Sequence, residues 1–245
     1  MSAESFQIHL TSSLADSYNT NLTSDCNFYL PLIEIPSNFH IHVSIQNFAC
    51  PYTFYNINSN NNSFVYLENL TAKSLIITPG NYNTNTLISE LKLSMTNFTI
   101  TYNSVTNKLK FINSLYDFSF SSISTCLSLF GFSGKSLASA SKILYSDNCV
   151  NLCPYRCICI SSSLKTFSIN NSYLNNNSLL GSIPINTAPN SIIVYENKNN
   201  FKSNTFTNSI SYINLKLIDH NFKALDLNGC HWTITLQFDI VDYVY

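Results

Sequence analysis

The stretch HWTITLQFDI, residues 231–240, is the most regular pattern in this chain of 245 residues. Its large apolar residues stand two positions apart, with threonine, glutamine and aspartate between them. The apolar set is Trp232, Ile234, Leu236, Phe238 and Ile240. Side chains two apart on a β-strand project to the same side, so this period predicts a strand with one buried face. Trp232 begins that face and is therefore predicted to be a core residue rather than an exposed platform for a sugar ring.

The same alternation occurs in four further stretches near the two ends of the chain: Phe6–Leu10, Phe28–Leu32, Phe39–Ile45 and Ile213–Leu217. Pro31 has no N–H for a β-ladder and predicts an edge or a bulge in the second stretch. Asn228-Gly229 tolerates the positive φ of a tight turn ahead of the last strand. Strands with one apolar face at both ends of a chain imply two sheets packed face to face, so the predicted fold is an all-β sandwich.

The middle of the chain has a different pattern. After a turn at Thr78–Asn81, Leu87, Ile88 and Leu91 recur at helical spacing up to about Met95. There follow two predicted strands and an apolar run predicted to be helical at its start, namely Phe98–Tyr102, Lys108–Ile112 and Cys126–Phe132. This order predicts an α+β block inserted into the sandwich. We place the block at residues 58–148 and the two parts of the sandwich at residues 1–57 and 149–245.

The composition is poor in charge. Only 10% of the residues are charged, against roughly 25% in ordinary soluble domains, and Asn, Ser and Thr take their place. Tracts such as Asn60–Asn62 and Asn175–Asn177 are predicted to be exposed loops. Burying Asn or Ser costs less than burying Lys or Glu, so such a surface suits a subunit packed against neighbours. Uncharged strand faces such as that of Thr233, Thr235 and Gln237 suit the same contacts, although codon bias in an AT-rich genome also accounts for the asparagine excess.

The charge pattern argues against two classes of partner. The formal net charge is -1 and Arg156 is the only arginine, whereas phosphate backbones are held by clustered Lys and Arg, so nucleic-acid binding is not the predicted main role. No apolar stretch approaches the ~20 residues that span a bilayer, so no membrane span is predicted. Residues 1–10 lack the basic and apolar regions of a signal peptide, which makes the cytosol the default location.

Eight cysteines are present, but a chain of this length without a secretory signal favours reduced thiols over a disulfide scaffold. Four of them cluster: Cys149, Cys153, Cys157 and Cys159. Paired CxxC units of a zinc ribbon are absent, so buried thiols are favoured over a zinc site.

Several motifs resemble enzyme sites and fail on spacing. His40 and His42 can project from one strand face toward a metal, as in cupin jelly rolls, but Gln46 stands near the place of the required carboxylate. Gly134-Lys135-Ser136 resembles the end of a P-loop, but Leu129 occupies the position of its first glycine. No GxSxG nucleophile motif is present, and the acidic residues are scattered, although a fold could still bring two together. The sequence therefore predicts no catalytic, cofactor-binding or metal-binding residue.

Residues spread over most of the chain carry a resemblance to a known family. They are Phe6-x-Ile8-x-Leu10 with Tyr18, Asn19 and Asn21; Pro79-Gly80-Asn81-Tyr82 with Leu87 and Leu91; Ile100-x-Tyr102 and Leu129-Phe130-Gly131-Phe132; Leu180-Gly181-Ser182-Ile183-Pro184-Ile185; and Ile213-x-Leu215-x-Leu217-x-Asp219, Leu225–Gly229 and Trp232-x-x-Thr235-Leu236. Their order and spacing resemble the penton, or minor capsid, proteins of virophages and polinton-like viruses. The stretch Cys149–Cys159 departs from that pattern. So does Asn221, which stands near a usual glycine but also tolerates the left-handed conformation of a turn.

The resemblance implies an upright single jelly roll that forms homopentamers at icosahedral vertices, among trimers of a double-jelly-roll major capsid protein and other minor capsid proteins. It implies a place in the virion, assembly in the host cytoplasm in a viral factory, and no enzymatic activity or cofactor. Two alternatives remain: a glycan- or receptor-binding jelly roll, such as a lectin or fibre head, and a cupin-type metalloenzyme.

Overall fold

The computed structural model describes residues 4–20, 22–36, 39–135, 137–164, 166, 178–205, 207 and 209–242. Residues 1–3, Asn21, Ser136 and Asn175–Asn177, on which some predictions above fall, lie outside these ranges. The chain divides into two compact units, Met1–Phe54 with Tyr155–Tyr245, and Tyr55–Pro154. We call them the sandwich unit and the inserted unit. The limits that we predicted for the inserted block, 58 and 148, fall inside the second unit.

The described secondary structure is mostly strand. In chain order it consists of β1 (Glu4–Thr11), a 3-10 turn (Ser12–Leu14), β2 (Ser17–Tyr18), β3 (Asp25–Glu34), β4 (Phe39–Pro51), β5 (Ser63–Glu68), β6 (Thr71–Ile76), α1 (Thr84–Ser94), β7 (Phe98–Asn103), β8 (Lys108–Asn113), β9 (Phe118–Phe120), β10 (Ile143–Tyr145), β11 (Cys157–Ser162), β12 (Leu179–Pro184), β13 (Ile192–Glu196), β14 (Ser203–Thr205), β15 (Ser209–Ile218) and β16 (Thr233–Asp242). Within the described ranges, no helix is long and apolar enough to cross a bilayer.

The sandwich unit contains two antiparallel sheets. One has the order β1-β16-β4-β13, with β14 also paired to β4, and the other has the order β12-β11-β15-β3-β2. If the principal strands β1, β3, β4, β11, β12, β13, β15 and β16 are numbered one to eight, these orders become 1-8-3-6 and 5-4-7-2. That is the strand arrangement of an eight-stranded jelly roll. The predicted fold class, an all-β single jelly roll with an inserted α+β subdomain, is confirmed, and the insertion lies in the connection from β4 to β11.

The apolar alternation fills the space between these two sheets. Trp232, directly before β16, is 1% exposed. Its ring lies 6.3 Å from that of Phe28 on β3 and 6.3 Å from that of Phe48 on β4, so one side chain contacts both sheets. Its indole Nε1 donates to the carbonyl of Thr23 at 2.8 Å. Trp232 is therefore a core residue, as predicted.

Two details of the sandwich unit differ from the predictions. The alternation of Phe28–Leu32 predicts Leu32 on the inner face of β3, but Leu32 is 60% exposed and Ile33 packs against the core instead. The pairing of β3 with β15 shifts its register between Ile210 and Tyr212, and the bulge expected at Pro31 reverses the alternation beyond it. In the turn after β15, the left-handed residue is Phe222, with φ 62°, rather than Asn221.

The inserted unit has its own architecture. Two three-stranded sheets, β6-β5-β9 and β10-β8-β7, accompany the helix α1. The helix starts at a capping box, in which the Asn83 side chain accepts from the Thr86 N–H at 3.0 Å and the Thr86 hydroxyl accepts from the Asn83 N–H at 3.0 Å. Phe64 and Phe120 meet edge to face at 4.8 Å in a separate apolar core.

Two predictions within this unit need correction. Cys126–Phe132 forms consecutive turns instead of starting as a helix; the N–H of Leu129 bonds the carbonyl of Cys126, and Gly131 reverses the chain with φ 84°. The tract Asn60–Asn62 lies in a turn, but Asn62 is buried and donates to the Ile77 carbonyl at 3.0 Å. An asparagine can replace a backbone partner in this way, which explains why this one is not exposed.

Candidate functional site

The outer surface of the β1-β16-β4 sheet carries the polar half of the strand alternation. We call it the polar sheet face and define it by Ser5, His9, His40, His42, Thr233, Thr235, Gln237 and Asp239. The register aligns Ser5, Asp239 and His42 in one row across three neighbouring strands. Because the alternate residues of the same strands fill the core, these side chains face outward.

Asp239 is the centre of this face. Its carboxylate accepts from the Ser5 hydroxyl at 2.6 Å and from the Gln237 amide at 3.0 Å, and it pairs with the Lys202 ammonium at 2.7 Å. Burial raises the pKa of Asp239, but the Lys202 charge and the two donors outweigh burial and hold that pKa below its ordinary value. The group is therefore an ionised carboxylate whose charge is already neutralised within the face.

His40 and His42 lie side by side beside it. Their Nε2 atoms are 3.1 Å apart, so one imidazole donates to the other, and the accepting ring must be neutral. Burial lowers the pKa of His42, and electrostatic interactions with His40 and Lys202 lower it further, against the opposing effect of Asp239. The structure therefore brings together the two histidines that the sequence singled out, in a setting that disfavours added positive charge.

A cupin-type metal site needs a further ligand beside these two rings. Asp239, opposite His42, is bound to Lys202, and Gln46 donates to the Ser44 hydroxyl at 3.0 Å. Among the described residues, no group of three or more His, Cys, Asp or Glu side chains could hold a metal ion. That this chain works without a metal or cofactor stays a prediction.

The outer surface of the second sheet carries a hydrogen-bonded cluster that the sequence did not reveal. We call it the amide cluster and define it by Asn19, Asp25, Asn27, Tyr212 and Asn214. The Asp25 carboxylate accepts from the amides of Asn19 at 2.9 Å and Asn214 at 3.0 Å. The Asn27 carbonyl oxygen accepts from the Tyr212 hydroxyl at 2.6 Å and from Asn214 at 3.0 Å.

The negative charge of Asp25 in the amide cluster is also compensated by a neighbouring residue. Asp25 pairs with the Lys216 ammonium at 3.1 Å. Burial raises the pKa of Asp25, but the amide donors and Lys216 more than offset this effect and lower that pKa below its ordinary value. Both outer faces of the sandwich thus present polar groups whose buried carboxylates already have partners, so covering either face would leave neither carboxylate unpaired.

The cysteines are all free thiols. Cys26, Cys50 and Cys126 are buried, and burial raises the pKa of each to about 12. The clustered cysteines differ from the buried thiols that we expected. Cys149 and Cys153 are exposed. Cys157 and Cys159, on β11, are partly exposed, and their Sγ atoms are 3.9 Å apart.

This architecture is similar to that of solved virophage proteins. No protein-family model matches the chain, and no curated protein sequence matches it. The crystal structure of the selenomethionine-labelled mavirus penton protein matches with a TM-score of 0.55 and 12% identity, over 97% of this chain and 100% of that chain. The cryo-EM structure of the Sputnik virophage matches with a TM-score of 0.45 and 12% identity, over 96% of this chain and 98% of that chain. The match to the mavirus penton protein shows a shared fold.

Proposed function

We propose that this chain is a structural capsid protein that forms the pentameric vertices of an icosahedral virus. The observation that supports this role is the likeness to a penton protein over 97% of the chain, a share that includes the inserted unit. The proposed partners are four further copies of the chain, the surrounding double-jelly-roll trimers and other minor capsid proteins. The proposed location is the virion, assembled in the host cytoplasm. In this role the chain is not an enzyme.

The chemistry of the two outer faces supports assembly into a ring. A ring repeats one heterologous contact around its axis, so each subunit buries two different lateral surfaces. Burying an unpaired charge costs far more than burying a hydroxyl or an amide. Asp239 with Lys202 and Asp25 with Lys216 enter such an interface as neutral pairs. Tyr29, which is exposed, and Tyr212 add an aromatic pair with ring centroids 5.4 Å apart, and tyrosine is a residue in which interfaces are enriched.

The mass of the assembly tests the proposal. Light scattering over a range of protein concentrations should find a homopentamer of 138 kDa, five chains of 27.6 kDa each. Thr233→Glu places an unpaired carboxylate on the polar sheet face and should shift the mass to that of the monomer while each chain stays folded. Thr99 on β7 of the inserted unit is also exposed, so Thr99→Glu is the matched control and should leave the pentamer intact. A strict trimer, together with no fivefold assembly in any particle, would overturn the proposal.

A further inference from the structure

The inserted unit has an open groove of about 720 Å³ over the outer surface of the β10-β8-β7 sheet. Its walls include Thr101 and Asn103 from β7, Lys108 and Lys110 from β8, and Tyr145 from β10. A volume of this size matches the pockets that hold small organic ligands. The polar sheet face and the amide cluster are in the other unit, so this groove is a separate feature of the chain.

Strand pairing explains why these side chains converge. The register aligns Thr101, Lys110 and Tyr145 in one row across three strands, and it aligns Asn103 with Lys108 in the next row. Leu109 and Phe111, the alternate residues of β8, are fully buried in the core of the inserted unit. Because side chains alternate along a strand, both lysines must project from the opposite, outer surface.

The two lysines give the groove an uncompensated positive charge. In the described part of the chain, four other lysines pair with a carboxylate within 4.0 Å: Lys73, Lys198, Lys202 and Lys216. Lys108 and Lys110 make no such pair among the described residues. The Lys110 ammonium lies 5.3 Å from the centroid of the Tyr145 ring, a cation–π contact that orients the side chain and leaves its donors available. Two partly exposed lysines in one groove are complementary to an anion.

The remaining walls fit a saccharide. Tyr145 is 56% exposed, so part of its ring can contact the C–H groups of a sugar while Lys110 lies over the ring. The exposed Thr101 offers a hydroxyl. The Asn103 side-chain oxygen accepts from the N–H groups of Val105 at 2.9 Å and Thr106 at 3.1 Å, so its amide nitrogen is the group that it can offer to a sugar hydroxyl. An aromatic face, neutral hydrogen-bonding groups and two cations are what an acidic sugar requires.

We propose that this groove binds a short anionic saccharide, with Lys108 and Lys110 holding its carboxylate or sulfate groups and Tyr145 stacking on a sugar ring. Nucleic acid is the less suitable ligand, because two lysines on a chain of net charge -1 provide too few phosphate contacts. The inference goes beyond the capsid role. A failure of the chain to form pentamers would leave it standing, and a failure of glycan binding would leave the capsid proposal standing.

Calorimetric titration of the full chain tests the groove directly. The probes are 3′-sialyllactose for a carboxylate, a heparin hexasaccharide for sulfate, unsubstituted lactose as the neutral control and a single-stranded DNA hexamer for phosphate. At least one of the two anionic saccharides should bind, with an affinity that falls as salt rises, and lactose and the DNA should bind at least tenfold more weakly. Losing a charge-assisted hydrogen bond weakens binding by about tenfold per group, so Lys108→Gln and Lys110→Gln should each have that effect.

Two further variants complete the design. Tyr145→Ala should weaken binding of the same saccharide while leaving both lysines in place. Lys198→Gln removes an exposed lysine from the sandwich unit, outside the groove, and should bind like the wild type. Melting temperatures establish that every variant is folded. The proposal is overturned if neither anionic saccharide binds at millimolar concentration, if the lysine variants bind as tightly as Lys198→Gln, or if DNA binds more tightly than both saccharides.

Discussion

Trp232 illustrates how a single side chain can support the whole sandwich unit. It contacts Phe28 in one sheet and Phe48 in the other, and its indole N–H bonds the Thr23 carbonyl. We expect Trp232→Ala to lower the free energy of unfolding by about 3–5 kcal/mol, because it leaves a cavity between the sheets. The loss should appear as a lower denaturant midpoint in urea, and the assembly should be lost as a consequence.

Two controls separate packing from other roles of this position. Trp232→Phe keeps a ring between the sheets but gives up the bond to Thr23, so it should cost less than the alanine variant. Thr235→Ala, on the outer surface, removes the contact between the Thr235 hydroxyl and His9 Nδ1 and should cost about 1 kcal/mol. If Trp232→Ala unfolds like the wild type and instead loses affinity for a glycan, the lectin hypothesis gains support.

Glu68 is a second residue with a defined energetic role. This buried carboxylate on β5 accepts from the Asn97 amide at 2.9 Å and the Asn113 amide at 2.6 Å, and it pairs with Lys73. Burial raises the pKa of Glu68, but Lys73 and the two amides outweigh burial and lower it below the ordinary value of 4.5. The unfolded chain therefore takes up the proton more readily than the folded chain does.

The sign of the pH effect follows from that difference. The contribution of Glu68 to stability is complete above pH 4.5 and is lost as the pH falls through the lowered pKa of the folded state. Glu68→Gln should lower stability at pH 7 and reduce the further loss between pH 5 and pH 3, as measured by urea unfolding at each pH. Glu196→Gln, which alters an exposed ion pair with Lys198, should leave that acid dependence unchanged. Equal slopes in the wild type and Glu68→Gln would contradict the assignment.

At the scale of elements, the strands were predictable because a buried face imposes a period of two. The alternation of Ile213, Leu215 and Leu217 and the helical spacing of Leu87 and Leu91 all correspond to buried residues. The alternation gave the wrong face for Leu32. A bulge in the pairing with β15 changes which side chains of β3 face the core, and a bulge depends on the partner strand. The alternation also placed His40 and His42 together.

The rest of the candidate site depends on contacts between distant residues. Asn27 and Tyr212 of the amide cluster are 185 positions apart in the sequence, and Asp239 meets Lys202 through pairing of separate strands. The groove of the inserted unit is a similar case. Lys108 and Lys110 lie on a predicted strand, but only the register brings Tyr145 beside them. No local pattern contains that information.

Substitution of Gly131 tests the turn that stands where a helix was predicted. It has φ 84°, and a Cβ at this position would lie 2.3 Å from the Asn148 carbonyl oxygen. Gly134 has nearly the same φ, 83°, with no atom within 4 Å of such a Cβ. Gly131→Ala should therefore be much more destabilising than Gly134→Ala, which carries only the backbone strain of about 1–2 kcal/mol for a left-handed residue. Thermal melting of both variants measures the difference, and equal losses would show that the steric contact is relieved cheaply.

The division of the chain into two units leads to a prediction about how it unfolds. Among the described residues, the core of the sandwich unit is formed by residues of that unit, and the core of the inserted unit is formed by residues from Ile57 to Leu152. A unit with its own core can unfold as a separate cooperative transition. We therefore propose that the chain melts in two steps, and that a change in one core moves only one of them.

Trp232→Ala and Gly131→Ala test two-step melting, because each changes only one of the two units. In differential scanning calorimetry, Trp232→Ala should lower the transition of the sandwich unit, and Gly131→Ala should lower that of the inserted unit. The double variant should show both shifts at their single-variant sizes, because changes at distant, independent sites add. The pentamer should be lost with Trp232→Ala and should persist with Gly131→Ala at temperatures below the second transition, since the proposed lateral contacts belong to the sandwich unit. A single transition that both substitutions lower would mean that the two cores unfold as one, and that residues 55–154 are not a domain.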